Sequence, residues 1–93
     1  MLEKKVENKI KKWLKDRNYW YFKVHGSIYQ PSGIPDILAC VNGKFVAIEV
    51  KRSDRGVVSP LQKAQIQKIK ENGGIAGVAC SMEEFLEIIK EVL

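Results

Sequence analysis

The sequence predicts a single α/β domain, a mixed sheet with helices on its faces. Three observations predict it. Helical and strand periodicities follow one another in the order helix, strand, strand, strand, helix, strand, helix. Asn42-Gly43 joins two β-rich runs, and Asn-Gly supplies the two positive-φ residues of a type I′ hairpin turn. A helix then separates this hairpin from a last apolar run. That run therefore joins the sheet by a right-handed crossover, parallel to its neighbour.

Each element has its own signal. From Leu2 to Arg17 the apolar residues Leu2, Val6, Ile10, Trp13 and Leu14 recur at helical spacing, with Lys4, Lys5, Lys9, Lys12 and Lys15 on the other side. Tyr19 to Val24 is aromatic and β-branched and reads as a strand. A loop follows from Gly26 to Pro35, punctuated by Gly26, Pro31, Gly33 and Pro35. Strands are predicted over Asp36 to Val41 and Lys44 to Lys51. After the loop Ser53 to Val58, Ser59 suits an N-cap and Pro60 the first helical position; the helix runs to about Asn72 and stops at Gly73-Gly74. Ile75 to Cys80 is a short strand. Ser81 with Glu84 forms a capping box for a last helix whose Phe85, Ile88, Ile89 and Val92 share one face.

The chain of 93 residues has room for one domain, residues 1–93, with a thin core. No apolar run approaches the roughly 20 residues of a membrane span, and the N-terminus lacks a secretory apolar stretch, so a soluble cytoplasmic protein without membrane partners is expected. Sixteen Lys and Arg against eleven Asp and Glu leave a net charge of +5, which favours a polyanionic partner such as nucleic acid. Cys40 and Cys80 lie in apolar runs without neighbouring Cys or His at metal spacing. They read as reduced, buried thiols, and zinc is not expected.

The hairpin makes the chemistry specific. With a two-residue turn at Asn42-Gly43, paired positions sum to 85, so Asp36 lies opposite Glu49. Cross-strand partners share a face, with Cβ atoms roughly 4.5–5.5 Å apart. Lys51, two residues beyond Glu49, joins that face, whereas Val46, Ile48 and Val50 take the other and form core. Two carboxylates so close need a shared proton or a cation. Oxygen ligands from two strands suit Mg²⁺ or Mn²⁺, and the Val50 carbonyl is a further candidate ligand. A lysine beside such an ion can position the attacking water or offset charge on a phosphate. The combination predicts a phosphodiesterase; the plainer reading is a surface salt bridge in which Lys51 neutralises Asp36 and Glu49.

Gly33-Ile34-Pro35-Asp36 followed by Ile48-Glu49-Val50-Lys51 resembles the PD-(D/E)XK nuclease superfamily. More narrowly, the chain resembles the virus-type replication-repair nuclease (VRR-NUC) family, and it is similar to the archaeal Holliday-junction resolvases in scale and element order. The likeness spans nearly the whole chain and takes in the Gly56, Ser59, Pro60, Gln62 segment and the Gly-Gly before the final strand. It implies a restriction-endonuclease-like α-β-β-β-α-β core, divalent-metal dependence, and hydrolysis to a 5′-phosphate and a 3′-hydroxyl. Carried over by position, it implies that Asp36 and Glu49 are metal ligands, Lys51 the catalytic lysine, Gln62 the glutamine after Ser-Pro, and Glu7 the first-helix glutamate of the catalytic and metal set. Stand-alone members resemble junction resolvases that work as homodimers, so branched DNA is the expected substrate.

Supporting residues carry plainer alternatives. Glu7 lies on the edge of the apolar stripe beside Ile10 and Leu14, with Glu3 one turn earlier as its rival. Gln62 and Gln65 share a face with Leu61, Ile66 and Ile69; Gln62 also has capping-box spacing from Ser59. His25, Ser27 and Tyr29 of the loop, with Arg52 and Arg55 beyond Lys51, are candidate DNA contacts, and a surface role is the alternative for each. The run Tyr19 to Phe22 reads as core and edge packing. The leading function is thus a structure-selective, metal-dependent DNA endonuclease of replication, repair or recombination. Its competitors are a non-catalytic nucleic-acid-binding module on the same fold, a flap- or end-processing nuclease, and a restriction-type enzyme.

Overall fold

Helix α1, Glu3–Asp16, turns Val6, Ile10 and Leu14 into the interior, as their spacing predicts, and Glu7 is buried on the same stripe. The computed structural model describes residues 3–52 and 57–93. After α1 come β1 (Trp20–Lys23), β2 (Ile37–Val41), β3 (Lys44–Val50), α2 (Pro60–Glu71), β4 (Ile75–Ala79) and α3 (Met82–Ile89), the last continued by a 3₁₀ turn over Lys90–Val92. The predicted order of elements holds. Leu2 and Arg55 lie outside the described residues.

The four strands lie in the order β1-β2-β3-β4. β1, β2 and β3 are antiparallel neighbours and β4 runs parallel to β3, as the helical crossover requires. Asn42 at φ 50° and Gly43 at φ 85° make the expected left-handed pair, and the pairing Val41 with Lys44 through Ile37 with Ile48 is the predicted register. Asp36 lies one residue outside the ladder, in a bend, so β2 is one residue shorter than expected.

The two faces of the sheet differ. Ile37, Ala39 and Val41 of β2, Val46, Ile48 and Val50 of β3, and Ile75 and Ala79 of β4 pack with Val6, Ile10 and Leu14 of α1 and Phe85 and Ile89 of α3. Trp13 meets Phe85 edge-on at 5.4 Å. On the opposite face α2 packs mainly on β4 and β3. The uncovered part corrects two expectations. Cys40 is exposed and Cys80 half-buried, not enclosed thiols. Trp20 and Phe22 are 61% and 51% exposed and stack on each other at 6.5 Å, whereas Tyr21 and Tyr19 pack against the core. Period-2 alternation sends Trp20, Phe22 and Cys40 to the face that α2 does not reach.

Both caps of α2 and α3 form, with one difference. The Ser59 hydroxyl accepts from the Gln62 N–H while the Gln62 side chain accepts from the Ser59 N–H. In α3 the Ser81 hydroxyl accepts from the Glu84 N–H, but the Glu84 carboxylate reaches one residue further, to the Cys80 N–H. No helix among the described residues is long and apolar enough to cross a membrane.

The loop between β1 and β2 is anchored on α2. Gln65 Nε2 donates to the Ser32 carbonyl at 3.3 Å. Gly33 has φ 83°, and a Cβ there would fall 2.6 Å from the Leu61 carbonyl carbon and 2.9 Å from the Gln62 nitrogen. Gly33→Ala therefore meets both a left-handed backbone and helix main chain that cannot yield. We expect it to lower unfolding free energy by about 1–3 kcal/mol. Gly26→Ala, which meets nothing within 4 Å, should stay within about 0.5 kcal/mol of the parent. Urea midpoints of the two variants check this; equal midpoints would refute the anchoring.

Candidate active site

The hairpin register leaves Asp36 and Glu49 facing each other at the end of the β2–β3 ladder. Asp36 is fixed by the strand it faces: its Oδ2 accepts the Val50 N–H at 2.8 Å. Glu49, on a strand covered by helices on both sides, is only 2% exposed. Its Oε2 accepts from Gln62 Nε2 at 2.8 Å and lies 3.3 Å from Lys51 Nζ. Its Oε1 is buried and has no hydrogen-bond partner among the described residues. Burial and the facing Asp36 carboxylate push the Glu49 carboxyl up to about 7, although Lys51 pulls the other way.

An unpartnered buried acceptor costs about 1–3 kcal/mol, more when it is charged. A cation at Glu49 Oε1 would remove that cost and relieve the repulsion from Asp36. Hard carboxylate oxygens with room for water and phosphate fit Mg²⁺ or Mn²⁺. Among the described residues no group of three or more His, Cys, Asp or Glu could hold a metal ion. The pair Asp36 and Glu49 would therefore rely on backbone carbonyl, water and substrate oxygens to complete such a shell.

Glu7 is the buried first-helix carboxylate and its rival Glu3 is exposed. The Glu7 carboxylate is held by lysines and shares one of them with Asp36. Three ammonium groups surround it: Lys4 at 3.3 Å and Lys11 at 3.1 Å on Oε2, and Lys23 at 3.1 Å on Oε1. Burial alone would raise its pKa, but hydrogen bonds from Lys23, Lys11 and Lys4 outweigh it and hold the carboxyl at about 2. Lys23 also lies 3.7 Å from Asp36 Oδ1, so an ammonium stands between the two carboxylates.

Gln62 performs both tasks that its position suggests. One side-chain atom, Oε1, closes the α2 cap, and the other, Nε2, holds Glu49. A cleft of about 320 Å³ opens beside these groups, with Ser27, Gln30, Ser32, Gly33, Asp36 and Gln62 among its walls. His25, Arg52 and Tyr29 are exposed. Lys23 and Lys11 are the residues that sequence reasoning missed. A signal for Lys23 exists: alternation along β1 places it with Tyr21 on the α1 side of the sheet.

The profile of the family "Archaeal holliday junction resolvase (hjc)" matches residues 3–86. No curated protein matches the chain. Among solved structures, a "VRR_NUC domain protein" superposes with a TM-score of 0.79 at 18% identity, over 100% of this chain and 88% of that one. At that identity the likeness is one of fold. Hjc, a Holliday junction resolvase from Archaeoglobus fulgidus, superposes with a TM-score of 0.60 at 25% identity, over 82% of this chain and 65% of that one. The match over residues 3–86, on the α-β-β-β-α-β core described above, establishes that the chain belongs to the archaeal Holliday junction resolvase family, within the PD-(D/E)XK-like nuclease group.

Proposed function

We propose that this nuclease is a divalent-metal-dependent endonuclease that cleaves branched DNA as a homodimer. The observation that carries the metal dependence is the orphaned Oε1 of Glu49, buried beside a second carboxylate. Asp36, Glu49 and the Val50 carbonyl would hold Mg²⁺ or Mn²⁺. When bound, such an ion polarises the scissile phosphate and supplies a water of lowered pKa. The chain's own groups do the rest. Gln62 fixes the Glu49 carboxylate, and the Val50 N–H fixes Asp36 so that its other oxygen stays available. Lys51 brings an ammonium to the same point and offsets charge that builds on the phosphate. Ser27 in the cleft wall, with His25, Tyr29 and Arg52 on the surface, would contact DNA, and Arg55 is a further candidate contact.

Two-fold assembly is supported by the uncovered sheet face. Trp20, Phe22, Cys40 and Phe45 lie next to one another across β1, β2 and β3, and the three aromatics are each at least 45% exposed. Contiguous apolar surface of this kind marks an interaction site. A self-complementary patch buries itself against a second copy, and a two-fold axis gives two sites for two strands.

Three outcomes test the reading. Incubated with labelled four-way junction, flap, nicked, single-stranded and blunt duplex DNA, the protein should cut the junction best with Mg²⁺ and nothing with EDTA. Asp36→Asn and Lys51→Ala should each lower cleavage by at least about a hundredfold while junction binding in gel shifts persists. Retained cutting by either variant would refute the site, and binding without cutting by the parent would leave a binding module.

The second concerns pH. Burial and the facing Asp36 push the Glu49 carboxyl up to about 7, against 4.5 for an ordinary glutamate. A metal ion must displace that proton, so apparent Mn²⁺ affinity should fall by up to about tenfold per pH unit below 7 and level off above it. The sign for stability is opposite. Because the folded state binds the proton more tightly, the stability contributed by Glu49 is full below about 4.5 and is lost as pH rises through about 7. Calorimetric Mn²⁺ titration and melting across pH 5–8 check both slopes; a flat affinity profile would contradict the assignment.

The third concerns assembly. Trp20→Lys combined with Phe22→Lys places charge on solvent-facing positions, so it should convert a sedimenting dimer to monomer while leaving the melting transition cooperative. A parent that sediments as a monomer would remove the homodimer from the proposal.

A further inference from the structure

Lys23 is the last residue of β1, paired with Ile37, the neighbour of Asp36. This register sends its side chain to the α1 side of the sheet, where it meets Glu7, and lets the ammonium reach around to Asp36. Nζ lies 3.1 Å from Glu7 Oε1 and 3.7 Å from Asp36 Oδ1. Asp36 divides its two oxygens accordingly, Oδ2 to the Val50 N–H and Oδ1 toward Lys23. The ammonium thus bridges two carboxylates from different parts of the chain, Glu7 of α1 and Asp36 before β2. Two-metal phosphodiesterases place their ions about 3.5–4 Å apart on bridging carboxylates.

We propose that Lys23 is a built-in counter-ion that fills the Glu7–Asp36 position and restricts the site to one divalent ion, held on the Asp36 and Glu49 side. The inference rests on the metal-dependent reading above. Its physical basis is local charge. Lys4 and Lys11 sit on Oε2 of Glu7, whereas Lys23 sits on Oε1 and also reaches Asp36, so Lys23 is the cation between the two carboxylates. A fixed ammonium beside Asp36 also supplies positive charge to a bound phosphate without a second metal site.

The test is the stoichiometry of Mn²⁺ on the full chain, by isothermal titration and by counting bound Mn²⁺ in electron paramagnetic resonance, without DNA. One ion per chain is expected for the parent and for Lys23→Arg, which keeps the cation. Lys23→Met should bind two, and Lys23→Met with Glu7→Gln should return to one. Two ions on the parent, or one ion on a folded Lys23→Met, would overturn the role of Lys23 and leave metal dependence standing. No ion on the parent would overturn the metal-dependent reading itself. Should Lys23→Met not fold, the parent and Lys23→Arg counts still decide, because two ions on either contradict the proposal.

Discussion

The structure is organised around a repulsion that its lysines offset only in part. A tight Asn42-Gly43 turn fixes the β2–β3 register, and that register sets Asp36 against Glu49 where Glu49 has almost no solvent. A carboxylate in such a place normally collects hydrogen bonds on both oxygens. Glu49 collects them on Oε2 alone, and the other oxygen is orphaned. The result is a carboxyl that holds its proton up to about 7 and therefore gains most from a cation. Function and stability pull in opposite directions at this one side chain.

The rest of the fold steadies that arrangement without cancelling it. Helix α2 begins at the site because its N3 side chain, Gln62, is both cap and clamp. Fraying of the first turn would therefore release Glu49, so the helix start and the carboxylate are coupled through one amide. The same turn receives the β1–β2 loop, where Gly33 lets main chain approach main chain and Gln65 ties down Ser32. Loop, helix and hairpin thus converge, and the cleft between them inherits its shape from backbone contacts rather than from long, mobile side chains.

Much of this was legible in the residues. The hairpin register followed from two turn residues, the buried Glu7 from its helical phase, and the parallel β4 from the helix that precedes it. What was not legible depends on elements far apart in the chain. The loop of Gly26 to Pro35 is too long to set the β1–β2 register, so nothing placed Lys23 beside Asp36. Alternation puts Trp20 and Phe22 on the same side of β1, but does not say whether a helix covers that side. Apolar residues under a helix and on an open face follow the same period of two, and the extent of α2 decides between them.

The two sheet faces consequently carry different burdens. One is closed by α1 and α3 around a continuous apolar core, and it supplies the rigidity that holds the hairpin in register. The other carries Glu49 at one end and an exposed aromatic row at the opposite end, on the same three strands. A strand cannot shift to alter one end without moving the other, because a slip of one residue would invert every side chain. On the dimeric reading, the strands that set the carboxylate pair also set the two-fold contact, so the spacing between two active sites is determined by the sheet rather than by flexible connections.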